Sequence, residues 1–162
     1  MSIFEKFFRI LLFVSEFIRL YGLFGESNAK TFSLEKLLNL VMAQVKRIDY
    51  GDGSGNRYTL ILEEGNAVVK YEPVTPERSS SGFYSGGEPF ERDIDVELFK
   101  QIAEIAMQAI QTKSSHINRR VMGSGMLTIE IKNSKRKLIL APNSRIKENL
   151  EKLLEKTKPE NP

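Results

Sequence analysis

Apolar positions in this chain follow a helical period over the first third and a period of two later. From Ile3 to Phe24 the sequence is dense in Phe, Ile, Leu and Val, and the charges Glu5, Lys6, Arg9, Glu16 and Arg19 interrupt it. At 100° per residue those five charges fall within roughly 140° of one another, and Phe4, Phe7, Phe8, Leu11, Val14, Ile18 and Tyr21 fill the opposite side. The spacing predicts an amphipathic helix. Leu12, Phe13 and Leu20 intrude on its polar side, so the apolar surface is wider than one contact with a small domain covers. Gly22, Gly25 and the ESNAK stretch end it. Ser33 then offers an N-cap, with Phe32 and Leu37 placed as a hydrophobic staple. Leu34, Leu37, Leu38, Val41, Val45 and Ile48 recur at helical spacing up to the Gly-rich break at 51–55, so residues 1–50 read as a helical hairpin.

From Arg57 the period becomes two: Tyr58, Leu60 and Leu62 alternate with Thr59, Ile61 and Glu63, and AVVKYEPV after Gly65-Asn66 continues as a second strand of a β-hairpin. Residues 73–89 hold three Pro and three Gly and predict a long flexible loop. Asp95 caps a further helix with Leu98, Phe99, Ile102, Ile105, Ala106 and Ala109 on one face. A second hairpin sets Leu127, Ile129 and Ile131 against Leu138 and Leu140 across a turn near Asn133-Ser134. The last helix starts near Ser144 and turns Ile146, Leu150, Leu153 and Leu154 inward. The order ααββαββα predicts an α+β fold, with an antiparallel sheet of two β-hairpins carrying helices on one face. Two parts follow: a docking appendage over 1–50 and an α+β domain over 56–158.

Composition narrows the chemistry. The chain has 162 residues, a net charge of +3, no Cys and one His. Disulfides, iron–sulfur ligation and a thiol nucleophile are thereby excluded, and a zinc site has almost no ligands to draw on. No cofactor is expected. The longest uncharged run of the first helix, Ile10 to Ser15, is far short of the ~20 residues of a membrane span. The compartment is left open by the sequence, with the cytoplasm favoured.

Charge is uneven. Residues 113–147 hold nine Lys and Arg against Glu130 alone, which is how a phosphate-binding face looks. Arg119, Arg120, Lys135, Arg136 and Lys137 are its candidate residues. The block has no Phe, Tyr or Trp for stacking on bases and no helix-turn-helix or RNP pattern. Basic residues also blunt a sheet edge, the plainer use of such a hairpin.

Other patterns fall short. Asp52, Ser54, Asn56 and Glu63 match positions 1, 3, 5 and 12 of an EF-hand count, but Arg57 stands where its Gly must be and a strand follows. Ser85-Gly86-Gly87, with Gly82 nearby, is neither a P-loop nor GxGxxG. His116 is the sole imidazole, and no Ser sits in a nucleophile elbow. Glu63, Glu64, Asp93, Asp95 and Glu97 could in principle pair as acid and base, but Asp95 and Glu97 already serve a helix start.

The Ser-Gly-Gly of YSGGEP ahead of an acid-capped helix, then a hairpin ending in Pro142 and a terminal helix, resembles in outline small bacterial domains of the emfourin protease-inhibitor type. The likeness spans about 100 residues and rests on three identical ones, so it assigns no family. The function expected from the residues is a non-enzymatic protein–protein interaction or assembly module. Phe4, Phe8, Phe13, Phe17 and Leu20 of the N-terminal helix would contact a protein partner or a second copy. The alternatives are weak, sequence-independent nucleic-acid binding through 113–147 and association of the first helix with a membrane surface.

Overall fold

The computed structural model describes residues 44–79, 82–132 and 134–159. The N-terminal helix, most of the second helix and the partner-contact residues Phe4, Phe8, Phe13, Phe17 and Leu20 lie outside the described residues. The described chain belongs to one unit, Asn39–Pro162. It runs β1 (Val45–Gly51), β2 (Arg57–Glu63), β3 (Asn66–Glu72), β4 (Phe90–Ile94), α1 (Val96–Gln111), β5 (Gly125–Ile131), β6 (Ser134–Leu140) and α2 (Arg145–Glu155). The strands form an antiparallel six-stranded sheet in the order β4-β3-β2-β1-β5-β6. Both helices pack on one face, in keeping with the α+β expectation.

Two elements correct that expectation. Residues 45–50 are a strand, not the end of a second helix, and β1 is a central strand of the sheet, paired with both β2 and β5. The sheet therefore begins before residue 56. Its pairing with β5 shifts between Val45 and Arg47, and this bulge is why Val45 and Ile48, three positions apart, both face the core. A spacing of three is what a helix also produces, and β-branched residues followed by Tyr50 decide for the strand. The second correction is β4. Phe90, Arg92 and Ile94 alternate with Glu91 and Asp93, and the strand pairs with β3 from Phe90↔Tyr71 to Ile94↔Ala67.

Local chemistry explains the remaining elements. Glu64 and Gly65 both have positive φ, at 49° and 85°, the conformation of the two-residue turn whose twist matches a hairpin. Asp95 accepts a hydrogen bond from Glu97 N at the start of α1, and Ser144 accepts one from Lys147 N at the start of α2. Between sheet and helices, Ile48, Leu60, Val69, Leu127, Ile129 and Leu140 meet Phe99, Ile102, Leu150 and Leu154, all buried. Ala103, Ala106 and Ala109 on α1 are buried too, and their small side chains let the helix approach the sheet closely.

Candidate functional site

Three connections gather at one end of the sheet: the β1–β2 turn, the excursion after β3 and the loop before β5. Asp52 organises the first. Its Oδ1 accepts from the backbone N–H groups of Ser54, Gly55 and Asn56 at 2.8, 2.7 and 2.9 Å, and its Oδ2 accepts from Asn56 Nδ2 at 2.7 Å. The EF-hand count therefore has a plain cause, since these side chains close a turn. Among the described residues no group of three or more His, Cys, Asp or Glu is placed to hold a metal ion.

Asn56, buried at 5% exposure, carries the order onward. Its Oδ1 accepts from Val74 N at 2.9 Å, and its Nδ2 also donates to the Tyr84 hydroxyl at 3.0 Å. Gly86 N donates to Val74 O at 3.0 Å, and the Tyr71 hydroxyl donates to Gly86 O at 2.7 Å. Both ends of the excursion over 73–89 are thus tied to the sheet. A Cβ on Gly86 would run into Asn56 Oδ1 and Pro73, which gives the Ser-Gly-Gly sequence a packing reason rather than a phosphate-cradling one.

The third connection is equally built. Ser124 is fully buried and its hydroxyl donates to Val121 O at 2.7 Å, while Ser124 N donates to the same carbonyl at 3.0 Å. This closes a turn over 121–124 in which Gly123 has φ of 77°, a left-handed conformation that favours glycine. Gly53 passes so close that a Cβ there would lie 2.7 Å from the Gly123 Cα.

Between these loops and α2 lies a cleft of about 790 Å³, with Tyr58, Arg78, Tyr84, Met122, Lys147 and Glu155 among its walls. The Tyr50 hydroxyl donates to Glu151 Oε1 at 2.7 Å, and Lys147 Nζ contacts Glu151 Oε2 at 2.8 Å. Burial, reinforced by the Glu151 carboxylate, pushes the Tyr50 hydroxyl far above its ordinary range. Burial and Glu155 do the same for Tyr58. A hydroxyl held protonated in this way donates a hydrogen bond and does not act as a base. The Tyr50–Glu151–Lys147 chain therefore ties α2 to β1.

The exposed large apolar residues among those described are Phe83 at 92%, Met122 at 94%, Val121 at 51% and Tyr84 at 40%. All four lie on the second and third connections, and Tyr84 and Met122 line the same cleft. Sequence periodicity missed them. Their signal was a large apolar residue set among Gly, Ser and Arg, as in GFYSGG and RRVMGSG, where no neighbouring period explains it.

The five candidate phosphate contacts do not form one patch. Arg119 and Arg120 precede the 121–124 turn, and Arg120 Nη2 approaches Asp52 O at 3.5 Å. Lys135, Arg136 and Lys137 are on β6, opposite Glu130, Ile129 and Thr128. Leu140, opposite Gly125, marks the end near Arg119 and Arg120, so Lys135 lies five residues farther along, about 17 Å at 3.4 Å per residue. Alternation turns Arg136 to the helix side and Lys135 and Lys137 to the other. His116 Nε2 meets Ala109 O, and His116 bridges to Leu140, so the sole imidazole joins the end of α1 to β6. No helix among the described residues is long and apolar enough to cross a membrane.

Comparison of the chain with protein-family models, curated proteins and solved structures found no match. The described part is defined by its own geometry, an α+β unit whose loop end exposes four large apolar side chains, two of them, Tyr84 and Met122, on the wall of a cleft.

Proposed function

We propose that this chain is a non-enzymatic protein–protein interaction module that docks a partner protein on the loop end of its sheet. The observation that carries the reading is that Tyr84 and Met122, from two different loops, line one cleft, each with an exposed large apolar neighbour in sequence, Phe83 and Val121. Large apolar side chains held out at loop tips cost solvation and are typical anchors of protein contacts, with a polar rim around them. Loops on a rigid scaffold are where such anchors are usually placed, and the Asp52–Asn56–Val74 bonds together with the Ser124 turn supply that rigidity. The partner fitting the cleft offers apolar side chains flanked by an acidic group that pairs with Arg78. The predicted N-terminal helix, through Phe4, Phe8, Phe13, Phe17 and Leu20, is proposed as a second contact for a partner or a second copy.

The test places a photo-crosslinking residue at Val121 and, as a control, at Lys152 on α2 in the full chain. A partner adduct is expected from position 121 and not from 152, and it should disappear when Phe83 and Met122 are both replaced by Ser. Equal adducts from both positions, or an adduct that survives the double replacement, would overturn the loop-end reading. Replacing Phe13 and Leu20 by Glu tests the helix separately, through loss of any assembly measured by light scattering.

A further inference from the structure

We infer that the two edges of the sheet are built to pair with each other in trans, so that a second copy of this chain adds its β4 alongside β6 and continues the sheet. Strand directions alternate across the order β4-β3-β2-β1-β5-β6, so β4 of an identically oriented copy runs antiparallel to β6 and keeps its helices on the same side.

Length and chemistry select the register. His116 bridges Leu140, Ile117 N donates to Ile139 O, and Ala141 N donates to Ser115 O. These contacts occupy the outer edge of β6 at its last residues and leave Ser134–Leu138, five residues, against the five of Phe90–Ile94. Antiparallel alignment of these two segments sets Phe90 beside Leu138 on the helix side. On the other side it sets Glu91 beside Lys137 and Asp93 beside Lys135. Face assignment follows from the partners within the sheet: Phe90 and Leu138 pair with the buried Tyr71 and Leu127. Glu91, Asp93, Lys135 and Lys137 are all exposed. Cross-strand opposite charges stabilise a pair and like charges oppose it.

The same residues refuse the symmetric alternatives. Two β4 strands would face carboxylate with carboxylate, and two β6 strands ammonium with ammonium. Lysines on an edge usually guard against pairing, but an acidic edge on the same molecule turns the guard into a selector. Arg92 opposite Arg136 is the one like-charged pair in this register, so Arg92→Glu should tighten association. Pairing two different edges is head-to-tail, which gives a concentration-dependent series rather than a single dimer.

Sedimentation velocity on the full chain tests this. At about 20 mM salt the average mass should rise with concentration above the 18.5 kDa monomer, and it should return to it at 0.5 M, where the Debye length shrinks toward about 4 Å. Two double variants, E91K/D93K and K135E/K137E, should each be monomeric at low salt. Mixed in equal amounts they should associate again, because every acidic edge then meets a basic one. All four positions are exposed, and circular dichroism checks that each variant remains folded. A wild type monomeric at low salt, variants that associate unchanged, or a mixture that stays monomeric would each overturn the inference. Association abolished only by the Phe13 and Leu20 replacements would assign it to the N-terminal helix and overturn it as well.

Discussion

Asn56 is the side chain that links the first connection of the loop end to the second. It joins the Asp52 turn to Val74 and Tyr84 from a buried position. Asn56→Ala should cost about 1–3 kcal/mol, because it leaves Val74 N and Asp52 Oδ2 without their partner. Urea denaturation reads the loss, and trypsin should cut after Arg78 sooner in the variant. Three tyrosines set a pH limit. Burial lifts Tyr50 and Tyr58 far above the ordinary value near 10 and pushes Tyr71 up to about 12. The unfolded chain therefore releases these protons first, so stability present below pH about 10 falls as pH climbs toward the folded values. Urea midpoints should be level from pH 8 to 9.5 and drop above 10, and Tyr50→Phe should flatten the decline. Asp52 and Asn56 stood out in the sequence as a would-be calcium loop. Their spacing was legible and their use was not, since a carboxylate two to four residues ahead of free N–H groups caps a turn as readily as it binds an ion.

At the scale of elements, both helices begin where their cap residues predict. Ser144→Ala should cost about 1 kcal/mol, measurable as a lower thermal midpoint. Gly123→Ala should cost about 1–2 kcal/mol, because φ of 77° places a Cβ in the left-handed region. Its distinguishing effect should be local, with faster amide exchange at Ser124 and the turn it closes than in α1. The two β-hairpins were readable because one strand of each, β3 and β5, alternates cleanly and each turn is short. Strand β1 was not, since the bulge after Val45 gives a strand the spacing of a helix. Strand β4 was hidden by brevity: five residues, three of them charged, follow a Pro- and Gly-rich stretch and precede a strong helix cap. An edge strand with one neighbour needs few apolar residues.

For the whole molecule, the uneven charge of the sequence becomes a difference between two edges and one loop, rather than a single basic face. Any heparin retention should then fall in two separable steps, one removed by replacing Arg119 and Arg120 and another by replacing Lys135 and Lys137. A loss of all retention from either pair alone would contradict the separation of about 17 Å along β6. The central place of β1 also governs how the chain matures. Its partner on one side, β2, follows within a few residues, but its partner on the other side ends at Ile131. A ribosome must therefore make almost the entire sheet domain before β1 is enclosed, and the hydrophobic face of β1–β4 waits for α1 and then α2 to arrive. The β1–β5 pairing is the long-range closure in this sheet, and contacts of such sequence separation are the ones that slow folding. A chain released before Gly125 would present an open central strand, the kind of species that chaperones retain and proteases clear.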